Sequence, residues 1–247
     1  MFRKTILVTV ASLFLFASCD QATGDIQNVE ELSKIPLGIR QMKSLNYSVD
    51  EIGQYHNEVL GAFMKNNPKY ELSSFESLIS DLKVTGQKLY GQKYQDLLIV
   101  DDKYQLQTSS FTLASKGDKS FSEMIKEAYE GMVSIEVQIV LDYIVENELP
   151  YESTHSYITD YIKSNDLSDS DKEVLEAFDI FASYSDKYWA EYPSNSATGK
   201  STFAKGCTPR SQQYLADGFG FLIGGGLGAL GYSAAIHVLQ DEGSHCI

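Results

Sequence analysis

Cations are scarce in this chain. Among 247 residues, Lys and Arg together number 20 against 34 Asp and Glu, a formal net charge of −14. With no basic surplus to displace counterions from phosphates, nucleic-acid binding is excluded as a main role. Cysteine is scarce as well, with three in all, at 19, 207 and 246. The four histidines, His56, His155, His237 and His245, stand in no H-E-x-x-H or other ligand spacing. Neither a metal centre nor a cofactor is therefore expected. A G-x-S-x-G nucleophile elbow is also missing, and the chain reads as non-catalytic. What it does contain is enough apolar residue, 43%, for one or two domains with a real core.

The first twenty residues carry an export signal. Arg3 and Lys4 precede an apolar stretch from Ile6 to Phe16, too short for an ordinary spanning helix. It closes on Leu15-Phe16-Ala17-Ser18-Cys19, and small residues before a cysteine resemble the bacterial lipobox. That resemblance implies cleavage before Cys19 and acylation of its thiol, giving stable anchoring through more than one acyl chain. A plain signal peptide with an incidental cysteine is the alternative. The expected plan is a signal peptide at 1–18, a polar tether at 19–27, a helical domain at 28–192 and a glycine-rich module at 193–247. The expected location is the bacterial cell envelope, at the outer membrane.

Helix-start signals recur in the body. Ser48-Val-Asp-Glu51, Ser120-Phe-Ser-Glu123 and Ser170-Asp-Lys-Glu173 have the form of capping boxes. Pro36, Pro68, Pro150 and Pro193 fall where amphipathic runs start or stop. These signals predict helices over 28–35, 49–66, 73–90, 121–147, 152–164 and 170–191, with 92–116 ambiguous and Asp96–Val100 a short strand or a buried helical turn. Residues 133–145 alternate as in a strand, but one polar stripe from Glu127 to Asp142 and the length of the run favour a helix. Its wide apolar surface predicts a central helix packed on several sides. The fold class expected is all-α, a helical bundle.

Several motifs are coincidences. Gly226-Leu-Gly228-Ala-Leu-Gly231 matches a dinucleotide fingerprint, but the 16 residues after it leave no room for the rest of that unit. Thr198-Gly-Lys200-Ser201 lacks the first glycine of a P-loop. Asp166, Asp169, Asp171 and Glu173 lack the central glycine of a calcium loop and read as capping and solvated surface. Tyr184, Tyr188, Trp189 and Tyr192 read as core aromatics rather than a ligand groove.

Two segments are more informative. Gly53-Gln-Tyr-His56-Asn57-Glu-Val-Leu60 resembles a G-x-x-H-N-x-x-L stretch of uncharacterised lipoproteins and secreted proteins of Bacteroidota, several of which also end in a glycine-rich tail. The resemblance implies that phylum and no particular activity. On a helix, His56 and Asn57 are placed to hydrogen-bond a neighbouring helix or loop.

The other segment runs from Gly218 to Leu239, without a formal charge and with seven glycines between Gly218 and Gly231. Gly220, Gly224, Gly228 and Gly231 recur at three- and four-residue spacing, one small-residue stripe on a helix. Each interior glycine costs up to about 1 kcal/mol relative to alanine, so close packing must offset several. Three forms are open: a buried helix or helical hairpin, a membrane-inserting or self-associating zipper, and a loose loop. With Cys19 acylated, Cys207 and Cys246 are the remaining thiols and are expected to pair in an oxidising compartment. That bridge requires residues 208–217 to run back along a continuous helix, or the helix to break at Gly224-Gly225-Gly226.

Overall fold

Short polar side chains and prolines decide where the helices begin. The computed structural model describes residues 35–67, 70, 73–91, 121–191 and 210–243, without the side chains of 121, 124 and 236–243. Helix α1 (Leu37–Leu45) starts directly after Pro36 and stops at Asn46, which takes the left-handed conformation at φ 56°. Helix α2 (Val49–Asn66) opens with the expected capping box. The Glu51 amide donates to Ser48 Oγ at 3.1 Å, and the Ser48 amide donates to the Glu51 carboxylate at 2.9 Å. Ser74 caps α3 (Phe75–Tyr90), and Pro150 leads into α6 (Tyr151–Ser164).

Other boundaries differ from expectation. The run over 121–147 is two helices, α4 (Phe121–Tyr129) and α5 (Ile135–Glu146), because Gly131 turns the chain at φ 73° and Ser134 caps a new helix. Nor is α5 central: Ile135, Ile139 and Tyr143 face outward. The cap of α7 (Asp169–Glu191) is Ser168, whose Oγ accepts from the Asp171 amide at 3.1 Å, so Ser170 lies inside the helix. Pro36 begins a helix that sequence had not assigned, and Ile35 is not helical. The signal peptide, the tether, residues 28–34, the Ser120 cap and the 92–116 segment lie outside the described residues.

The described residues are all-α, with eight helices and no strand. Their centre is α8 (Arg210–Gly243), which packs against α1, α2, α3, α4 and α7 within one compact unit. Phe221 of α8 stacks on Phe181 of α7 with centroids 4.6 Å apart, and Phe219 stacks on Tyr129 of α4 at 4.9 Å. From Leu215 to Ala235 the helix is buried throughout. Of the aromatic cluster at the end of α7, Trp189 is buried in this core and Tyr188 packs against it; Tyr184 is not a core residue but half-buried, its hydroxyl donating to Asp50, and Tyr192 lies outside the described residues.

Helix α8 is bent back on itself. Gly224 and Gly225 leave helical geometry, and Gly225 sits at φ 62° and ψ −155°, a conformation that L side chains rarely adopt. A straight helix would hold residues eight apart about 12 Å from each other. Here a Cβ placed on Gly220 would meet the Gly228 carbonyl oxygen at 2.6 Å and the Ala229 Cα at 2.9 Å. The glycine-rich segment is therefore a helical hairpin whose arms touch backbone to backbone at Gly220 and Gly228. Gly224 lies at the bend, and Gly231 faces the side chains of Ile79 and Phe75 on α3.

Gly220→Val should therefore destabilise the protein by about 3 kcal/mol or more, since branched carbon must displace backbone rather than a movable side chain. Gly61→Ala is the matched control. Its Cβ would meet Tyr188 at an ordinary 3.6 Å, so helix propensity should dominate and stability should rise by about 0.5–1 kcal/mol. Urea unfolding midpoints of the two variants check both signs.

Candidate functional site

The strongest polar feature lies where α2, α7 and both arms of α8 converge. Asp217, on the first arm, is wholly buried. Its Oδ2 accepts from the Ser185 hydroxyl at 2.5 Å and from the Trp189 indole N–H at 3.1 Å, both on α7. His56 Nε2, on α2, stands 3.6 Å from the same oxygen, within ion-pair range but long for a hydrogen bond. Ser233, on the second arm, lies close enough to favour the charged carboxylate, without a hydrogen bond of good geometry.

The protonation pattern follows from one backbone carbonyl. Asn57 Nδ2 donates to the Tyr184 carbonyl at 2.9 Å, and a carbonyl can only accept. The Asn57 amide is thereby oriented, and its Oδ1 must accept from His56 Nδ1, 3.0 Å away. With Nδ1 protonated, a neutral imidazole would turn its Nε2 lone pair toward Asp217. Burial pushes the Asp217 carboxyl above the usual range, and His56, Ser185, Ser233 and Trp189 act in the opposite direction.

This geometry accounts for the G-x-x-H-N-x-x-L stretch. Gly53 has no room for a side chain because the ring of Tyr184 fills that position; a Cβ there would stand 2.8 Å from Tyr184 Cγ. His56 faces the buried acid, Asn57 ties α2 to the α7 backbone, and Leu60 is core. Sequence reading had singled out His56 and Asn57 but missed Asp217, Ser185 and Ser233. The available signal was a lone acid at the start of the uncharged run, at position 217.

Serine, histidine and aspartate meet here, but not in the order that nucleophilic catalysis needs. A catalytic histidine must touch the serine, whereas Ser185 donates directly to Asp217. His56, Ser185 and Asp217 are all closed to solvent. The arrangement can hold a proton and orient the helices around it, enclosed as it is among the described residues. Among the described residues no three His, Cys, Asp or Glu side chains are grouped to hold a metal ion. Cys19, Cys207 and Cys246 lie outside the described residues. Compared with known proteins, the chain matches no family model, no curated protein and no solved structure.

Asp217→Ala should cost about 3–5 kcal/mol, because it strands His56, Ser185 and Trp189 without their acceptor. Asp217→Asn should cost less, since an amide oxygen still accepts from Ser185 and Trp189. The folded carboxyl titrates above the unfolded one, so the native state holds the extra proton. Its stabilising contribution is complete below the unfolded value, about 3.9, and fades as pH rises through the folded value. The stability advantage of wild type over Asp217→Asn should therefore shrink from about pH 4 upward. Urea midpoints of both proteins at several pH values check this; a constant difference would contradict it.

Proposed function

We propose that the protein is a lipid-anchored component of the bacterial cell envelope, held at the outer membrane by acyl chains on Cys19, with a non-catalytic interaction or structural role. The lipobox-like Leu15-Phe16-Ala17-Ser18-Cys19 carries the anchoring. Enclosure of the Asp217 cluster supports the non-catalytic reading, because the serine, histidine and acid that meet there are closed to solvent and serve packing. Cys19→Ala should leave the protein unacylated and soluble. Fractionation after metabolic labelling with palmitate checks it, and recovery of the variant in membranes at wild-type level would defeat the anchor.

A second reading is that the protein is membrane-active in the manner of a bacteriocin, through its glycine-rich tail. One observation favours it: Arg210–Ala235 is long and apolar enough to cross a bilayer. That same stretch is almost wholly buried, and its glycines are used in packing against neighbouring helices, which weighs toward the first reading. Dye leakage from liposomes treated with the full chain separates the two; release at submicromolar protein would favour membrane activity.

The bend at Gly224–Gly225 turns the chain back toward the side where α8 begins, which supports a Cys207–Cys246 bridge. Such a bridge closes about 38 residues and should stabilise by roughly 3–4 kcal/mol. Non-reducing peptide mapping should recover the two cysteines in one linked fragment; free thiols at both positions would remove the bridge.

A further inference from the structure

Helix α5 carries more apolar surface than its neighbours cover. Val137, Val140, Leu141, Ile144 and Val145 fill its inner side, as a helix at the edge of a bundle requires. On the outer side Ile135, Ile139 and Tyr143 follow one another at four-residue spacing and remain 61%, 52% and 44% exposed. The stripe continues onto α6 through tyrosine rings, with Tyr143 4.5 Å from Tyr157 and Tyr157 6.1 Å from Tyr161 between centroids. Exposed apolar side chains scattered singly need no explanation; a continuous aliphatic and aromatic strip does.

The charge around the strip selects among occupants. Helix α5 has Glu136, Asp142 and Glu146 and no Lys or Arg, and α6 adds exposed Glu152 and Asp160 against one exposed cation, Lys163. The cation beside them, Lys126 of α4, is 2.5 Å from Glu146 and 3.9 Å from Asp142. A second copy would set this carboxylate rim against an identical rim. A bilayer surface calls for Lys and Arg flanking the apolar face, the reverse of what is present. A cationic partner meets neither obstacle, and exposed tyrosine faces add attraction for Lys and Arg.

We propose that the Ile135–Ile139–Tyr143 face, with Tyr157 and Tyr161, docks an amphipathic protein segment whose apolar residues stand one helical turn apart and whose flanks carry Lys or Arg. This rests on the interaction role proposed above and names the surface and the chemistry of the partner. It does not rest on the anchor. If Cys19→Ala keeps its membrane association and the surface still binds, the lipid anchor falls and the docking face stands.

The test uses the full chain carrying Cys19→Ala and two fluorescein-labelled helical peptides of roughly 18 residues, five turns. Both present leucines at four-residue spacing; one is flanked by Lys, the other by Glu. Fluorescence anisotropy should show binding of the Lys peptide that weakens with salt and little binding of the Glu peptide. Ile135→Ser with Ile139→Ser should reduce affinity about tenfold or more, a loss of about 1.4 kcal/mol. Val84→Ser with Leu89→Ser, removing exposed apolar residues of α3, should leave it unchanged. Far-UV circular dichroism and thermal midpoints confirm that each variant is folded. Equal binding of both peptides, or of the Ile135/Ile139 variant, overturns the proposal. So does concentration-dependent dimerisation in sedimentation equilibrium that the Ile135/Ile139 variant abolishes, or vesicle binding to phosphatidylcholine that it abolishes.

Discussion

Backbone-to-backbone contact between Gly220 and Gly228 is the constraint on which the remaining packing depends. Two helical arms can approach this closely only where neither has a side chain, and only if the chain reverses between them. The reversal falls at Gly225, whose positive φ no other residue adopts cheaply. Once the arms are paired, they present a nearly all-apolar double rod with Phe219, Phe221 and Leu222 on its surfaces. The amphipathic helices then have one rational place to bury their apolar faces. Gly38 of α1, against the Phe221 carbonyl, repeats the principle on a smaller scale, drawing a third backbone into contact.

Within the buried stretch of that rod, Leu215–Ala235, Asp217 is the one charged residue, and its environment is organised to tolerate it. Three helices each send it a polar group: His56 from α2, Ser185 and Trp189 from α7, Ser233 from the returning arm. Apolar packing alone is permissive about how helices slide past each other, whereas hydrogen bonds of fixed length are not. A single buried acid thus sets the register of α7 against the hairpin, with His56 of α2 within ion-pair range of it. The Asn57 bond to the Tyr184 carbonyl, one residue before Ser185, fixes the same turn of α7 a second time.

Local signals were legible in the sequence and non-local ones were not. The bounds of α2 follow from Ser48, Glu51 and the downstream apolar period, all within one segment. The bend at Gly224–Gly225 could be foreseen as one of two shapes, because consecutive glycines are the weakest point in any helix. The break at Gly131 was hidden, since the polar stripe from Glu127 to Asp142 continues across it as though one helix ran through. The outward turn of Ile135 and Ile139 was hidden for a related reason: periodicity reports how much apolar surface a helix has, not how much its neighbours cover. Asp217 stood out only as a lone acid beside an uncharged run, and its grouping with His56 and Ser185 was out of reach, because nothing in the sequence links position 217 with 56 or 185. The anchor proposed at Cys19 and the thiols at 207 and 246 stand outside the described residues.

The position of the central hairpin along the chain has a consequence for how the protein is made. In the described structure, α1, α2, α3, α4 and α7 all pack against α8, yet α8 is the last of the eight helices to be synthesised. The earlier helices also pack on one another, α7 against α2 and α2 against α3 among them, but until Arg210 and the residues beyond it are present the faces they turn toward α8 stay uncovered. Helical turns can form and dissolve during elongation, but the cooperative core waits for the hairpin, and with it contacts of high sequence separation. Closure of the described core is thereby deferred until α8 has been made, whatever the order in which the individual helices form.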